Sequence, residues 1–94
     1  MLVEKVFEEI GKEKGFAAIG KDEVQKAIDA GAVKNLLVCD LFLLGNRETA
    51  EKMLESVETL AGEVHIVSSK HEAGQKLVGI GGVAALLRFS LKWK

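Results

Sequence analysis

The chain has 94 residues, 48% of them hydrophobic and 29% charged, the composition of an ordinary globular domain with room for one core. Its formal net charge of −1 leaves no strong positive field to hold nucleic acid non-specifically. A single cysteine, Cys39, excludes an internal disulfide and gives no metal-ligand spacing, which fits a reducing compartment.

The start, "MLVEKVFEEI", repeats apolar residues at Leu2, Val3, Val6, Phe7 and Ile10 with Glu4, Lys5, Glu8 and Glu9 between them. That spacing predicts an amphipathic helix, ended at "KEKG" by Gly15. Its acid residues are unlike a signal peptide, and no apolar run is long enough to span a bilayer, so a cytoplasmic protein is expected. Phe16–Ile19 is short and apolar, a strand.

"KDEVQKAIDAGA" reads as a second helix, with Asp22 and Gln25 placed as a variant capping box. Val24, Ala27 and Ile28 form its inner stripe, and Gly31 closes it. Leu36–Cys39 is a continuous apolar run too short for a helix, which predicts a strand covered on both faces. "LFLLGN" reads as a connecting stretch, unusually apolar for a loop. Asn46 then caps a third helix, with a stripe of Ala50, Met53, Leu54, Val57 and Leu60. "EVHIV" is a strand.

Ser69 and Glu72 have capping-box spacing for a short helix, "KHEAGQKLV", closed by Gly79. "VAALLRF" is the last strand. Alternation of strands and helices predicts an α/β domain: a three-layer α/β/α sandwich on a small, mixed, largely parallel sheet. The whole of 1–94 reads as one domain.

Gly79, Gly81 and Ala84 satisfy the spacing of a dinucleotide fingerprint. A phosphate cradle needs glycines that follow a strand and open a helix, so that the helix N-terminus faces the anion. These glycines follow a helix and open a strand, and the acidic residue about twenty positions on has no place in the chain. They predict a turn. His65 lies within a strand, His71 is in the first turn of a capped helix, and Cys39 reads as a small buried hydrophobe. Asp40 follows a strand end, where α/β proteins place functional groups, yet no basic or nucleophilic partner is identifiable beside it. No nucleophile–base pair assembles, and the two histidines and one cysteine are too few for a metal centre. The reading is non-enzymatic, with no cofactor and no metal.

Two stretches carry a family likeness. "SSKHEAGQKLVGIGGVAALLRF" (Ser68 to Phe89) resembles the closing motif, and "AIGKDEVQKAIDAGAVKNLLVCDLF" (Ala18 to Phe42) the opening motif, of the C-terminal domain of the Pelota family of ribosome-rescue factors. That family is related to peptide-chain release factor subunit 1. The Ser-Ser-x-His-Glu-x-Gly form of "SSKHEAG" is similar to Pelota, and "LFLLGNRETAEKMLE" has no room for the insertion common in release factors. The resemblance implies an archaeal fragment of a larger multidomain protein, with the α/β/α fold shared with kink-turn-binding ribosomal proteins. It implies a non-catalytic role in ribosome rescue and mRNA surveillance. The implied partners are an elongation-factor-like translational GTPase, an ABC-type ribosome-recycling ATPase and, through the full-length protein, the ribosome, with no membrane. Candidate contacts are Lys70, His71 and Glu72 at the start of the short helix, and Leu44 and Arg47 around the apolar "LFLL".

The alternative is RNA binding. "IGKDEVQKAI" is similar to the Gly-x-Asn-Glu-Val-x-Lys motif of kink-turn binders, which would place RNA contacts at Gly20, Asp22, Glu23 and Lys26, with Ile80–Gly82 as a second loop. Asp22 replaces the asparagine. A carboxylate accepts but does not donate, and it repels phosphate, so the substitution argues against RNA. A plain interaction module with no ribosomal role is the third reading.

Overall fold

The computed structural model describes residues 2–12 and 15–90. The elements run α1 (Leu2–Lys12), β1 (Ala17–Ile19), α2 (Lys21–Asp29), β2 (Val33–Cys39), α3 (Asp40–Gly45), α4 (Arg47–Thr59), β3 (Glu63–Val67), α5 (Glu72–Gly79) and β4 (Val83–Leu87). The four strands form one sheet in the order β1-β4-β2-β3. Helices α2 and α4 meet over one face, and α1 and α5 meet over the other. The three-layer α/β/α sandwich is as expected.

The sheet is mixed, but it is not largely parallel. Only β2 and β3 run parallel, whereas β4 pairs antiparallel with both β1 and β2. The last strand starts beside the end of β2 and runs back along it. There the Cys39 N–H donates to the Gly82 carbonyl at 2.8 Å, and Val38 lies opposite Val83.

Because helices cover both faces, the central strands need no alternation of apolar and polar residues. Leu36, Leu37, Val38, Val83, Ala84 and Ala85 are all fully buried. Val24, Ala27 and Ile28 of α2 and Ala50, Met53 and Val57 of α4 are buried at their predicted helical spacing, as are Val3 and Val6 of α1. Leu60 is not on that stripe: α4 ends at Thr59, and Leu60 is 49% exposed.

The stretch "LFLLGN" forms a helix, α3, rather than a loop. Six residues are too few to display a helical period in sequence. What stabilises α3 is tertiary: Phe42 is buried, with its Cβ 3.0 Å from where a side chain on Gly82 would begin. Asn46 stands at the N-cap of α4 as expected, but its side chain does not cap that helix. Its Nδ2 donates backwards to the Phe42 carbonyl at 3.3 Å. The glycine cluster is the turn that was predicted, lying between α5 and β4. Arg88, just past β4, anchors the strand by donating from Nη2 to the carbonyls of Val33 at 2.8 Å and Leu60 at 3.3 Å. The expected ending of α1 at "KEKG" falls partly on Glu13 and Lys14, outside the described residues, as does the tail 91–94 with Trp93.

Candidate functional site

Asp40 follows directly on the carboxyl end of β2 as the first residue of α3. Its Oδ1 accepts the backbone N–H of Ser69 at 3.0 Å and the Cys39 Sγ–H at 3.3 Å. The Cys39 sulfur also approaches the Gly74 carbonyl at 3.9 Å. The Ser69 N–H holds the Asp40 carboxyl below its usual range, helped by the thiol, while burial pushes the Cys39 thiol up. Cys39 is therefore a protonated donor rather than a nucleophile. The partner of Asp40 that sequence inspection did not find is a backbone amide 29 positions away.

This cluster holds the turn between β3 and α5. Within the turn, the Ser68 carbonyl accepts from His71 N–H at 3.2 Å and Ser68 Oγ accepts from Lys70 N–H at 3.1 Å. Helix α5 begins at Glu72 with His71 at its N-cap and no side-chain cap, so Ser69 and Glu72 do not form the predicted capping box. Ser69 cannot cap because it lies two residues before the cap position, with its N–H committed to Asp40. The turn still brings Lys70, His71 and Glu72 to the surface as three consecutive exposed residues.

The second candidate region also survives in altered form. Leu44 is 77% exposed on α3, and Leu41, the first residue of the apolar "LFLL", is 52% exposed three residues earlier. Residues three apart share a helix face, so α3 presents an apolar pair. That i, i+3 spacing would have been the signal had the stretch been read as helical. Arg47 is exposed, but its Nε donates to Glu51 Oε2 at 3.1 Å along α4.

The four kink-turn positions are also assembled. Gly20 is the N-cap of α2 with φ +83°, its N–H donating to the Val83 carbonyl at 3.0 Å. A side chain on Gly81 would stand 3.1 Å from the Gly20 Cα, so the start of α2 and the Ile80–Gly82 turn are in contact. Asp22 is not the helix cap: it is the second residue of α2, whose N-cap has no side-chain bond, and Gln25 Nε2 donates instead to Asp29 at 3.0 Å. A glycine with positive φ already shapes the entry, which leaves Asp22 and Glu23 exposed on the first turn. Lys26 is 3.5 Å from the Glu23 carboxylate.

His65 is half-buried on β3, with Nε2 3.4 Å from Glu63 Oε1 and in no hydrogen bond. Among the described residues, no group of three His, Cys, Asp or Glu side chains could hold a metal ion, and no helix is long and apolar enough to cross a membrane.

A family model for eRF1 domain 3 matches residues 1–91. The chain belongs to the eRF1 domain 3 family. Within that family it is similar to the pelota homolog of Thermococcus kodakarensis, 50% identical over 92 residues, which are 97% of this chain and 26% of the relative. The chain thus spans about a quarter of the length of the curated relatives it matches. Among solved structures, Archaeoglobus fulgidus Pelota superimposes with a TM-score of 0.92 at 40% identity, over 98% of this chain and 29% of that one. A model of ribosome-bound archaeal Pelota and ABCE1 gives 0.86 at 50% identity, over 97% and 26%. Dom34 of S. cerevisiae, a translation termination-like factor involved in RNA quality control pathways and interacting with Hbs1, gives 0.91 at 30% identity, over 97% and 27%. The Pelota C-terminal likeness read from the opening and closing motifs is borne out. An eRF1 domain 3 with a single residue, Asn46, between α3 and α4 also has no insertion at that point.

Proposed function

We propose that this chain is one domain of a longer, cytoplasmic ribosome-rescue factor, and that it acts without catalysis by docking a translational GTPase and an ABC-type recycling ATPase. The observation that carries this reading is the match of about half identity to archaeal pelota homologs along nearly the whole chain. Relatives found with ABCE1 on the ribosome and with Hbs1 support the choice of partners. The exposed Lys70-His71-Glu72 turn and the apolar pair Leu41 and Leu44 are the surfaces such partners would meet.

A second reading, RNA binding, is favoured by one observation, the contact between the start of α2 and the Ile80–Gly82 turn. Against it, Asp22 puts an exposed carboxylate where the motif has an asparagine, a group that cannot donate a hydrogen bond and that repels phosphate.

Calorimetric titration of the chain with the purified GTPase and ATPase of an archaeon tests the choice. Binding is expected for at least one partner, weakened about tenfold or more in the His71→Ala/Glu72→Ala double variant while thermal unfolding stays unchanged. Absence of binding to both proteins, with tight binding to a kink-turn RNA, would replace docking with the second reading.

A further inference from the structure

We propose that Asp40 is a positioning residue that sets the conformation of the turn presenting Lys70, His71 and Glu72. Docking through this turn rests on the function proposed above; the clamp itself does not.

The turn leaves β3 at Val67 and enters α5 at Glu72. Its bonds from Ser68 to His71 and Lys70 are local, and they shape the turn without fixing how it sits on the sheet. Among the described residues, the donor that reaches out to another element is the Ser69 N–H, and its acceptor is Asp40 Oδ1 at 3.0 Å. A bond from an amide to a carboxylate is charge-assisted, stronger than one to a neutral oxygen. Loss of that acceptor would leave the part-buried Ser69 N–H without its partner.

The turn is also closed in by α5. Gly74 lies directly against the Ser68 carbonyl and 2.9 Å, measured from a Cβ placed on it, from the Ser69 Cα. Ser68 and Ser69 are therefore held between a carboxylate and a helix backbone. Cys39 completes the clamp, since its thiol donates to the same Asp40 oxygen and approaches the Gly74 carbonyl. Asp40 is fixed in turn by its place between fully buried Cys39 and the buried Phe42 of α3. The orientation of the exposed turn is thus decided inside the fold, by a residue that need not touch any partner.

Amide hydrogen exchange on the chain carrying Asp40→Ala or Asp40→Asn tests the clamp. In the alanine variant, exchange at Ser69, Lys70 and His71 is expected to quicken about tenfold or more, with β2 and β4 amides unchanged. The asparagine variant keeps an oxygen acceptor and is expected to restore most of the protection. Titration with the purified recycling ATPase supplies the functional arm. Asp40→Ala should lose affinity by the factor seen in the His71→Ala/Glu72→Ala variant, and the combined variant should lose no more. Unchanged exchange at Ser69, equal quickening of the strand amides, or full ATPase affinity in an Asp40→Ala chain whose turn variant binds weakly would each overturn the proposal. Quickened, turn-limited exchange together with full affinity of the turn variant would sink the docking role of the turn and leave the clamp standing.

Discussion

No side chain fits between Gly74 and the carbonyl of Ser68: a methyl group on this third residue of α5 would run into that oxygen and crowd the Ser69 Cα. Both partners are backbone, so no rotamer change can relieve the collision. Gly74→Ala is expected to cost about 1–3 kcal/mol, the range for overpacking a filled site. Gly79→Ala is the control, because a Cβ there meets nothing within 4 Å and stands in the last turn of the same helix. It should leave stability unchanged or raise it by up to about 1 kcal/mol. Urea unfolding of both variants decides; equal stabilities would mean that turn and helix can part without cost.

Asp22→Ala is expected to be nearly silent. The N-cap of α2 is Gly20, and no side chain bonds to the first-turn amides. Loss of a true cap costs about 1 kcal/mol, whereas an exposed helix residue costs within about 0.5 kcal/mol. In a domain of this size, 1 kcal/mol is about 4–8 °C in Tm, so calorimetry separates the two outcomes. A drop of that size would reinstate Asp22 as a cap.

Leu36 and Leu44 are the same residue type at opposite extremes, fully buried and 77% exposed. Leu36→Ala should destabilise by about 2–5 kcal/mol through the lost contacts and the cavity left in the sheet. Leu44→Ala should change stability by less than about 0.5 kcal/mol while weakening partner binding. Denaturant unfolding gives the first comparison and titration with the GTPase and ATPase the second. Full affinity for both would remove α3 from the docking surface.

The stability linked to Asp40 depends on pH in a defined direction. Its ordinary value of 3.8 is lowered in the fold, first by the Ser69 N–H, so the folded chain releases this proton more readily than the unfolded chain does. The contribution is complete above the unfolded value and is lost as pH falls through the lowered folded one. Cys39, its thiol pushed up by burial, stays protonated through this window and keeps donating. The Ser69 amide resonance should therefore shift on acidification with a midpoint below 3.8, and Asp40→Asn should abolish that step. A midpoint at or above 3.8 would mean that the amide does not favour the carboxylate.

The residue order alone determined what depends on neighbours within a few positions. Val24, Ala27 and Ile28, and Ala50, Met53 and Val57, announce their buried faces because a helix face is a 3.6-residue period. The run ending at Cys39 announces a strand covered on both sides, and the glycines after α5 announce a turn because such backbone is open to few other residues. The two motifs at either end of the chain also sufficed to name the family. Tertiary structure decided the rest. The helical state of α3 depends on Phe42 finding Gly82, and the direction of β4 on its antiparallel pairing with both β1 and β2. Asp22 and Ser69 carry capping signals that the fold does not use, since a local signal yields when a distant partner or a glycine-shaped entry satisfies the backbone first. Asp40 and Ser69 lie 29 positions apart in sequence and 3.0 Å apart in space, and no periodicity encodes a contact that only the packing of β2, β3 and α5 creates.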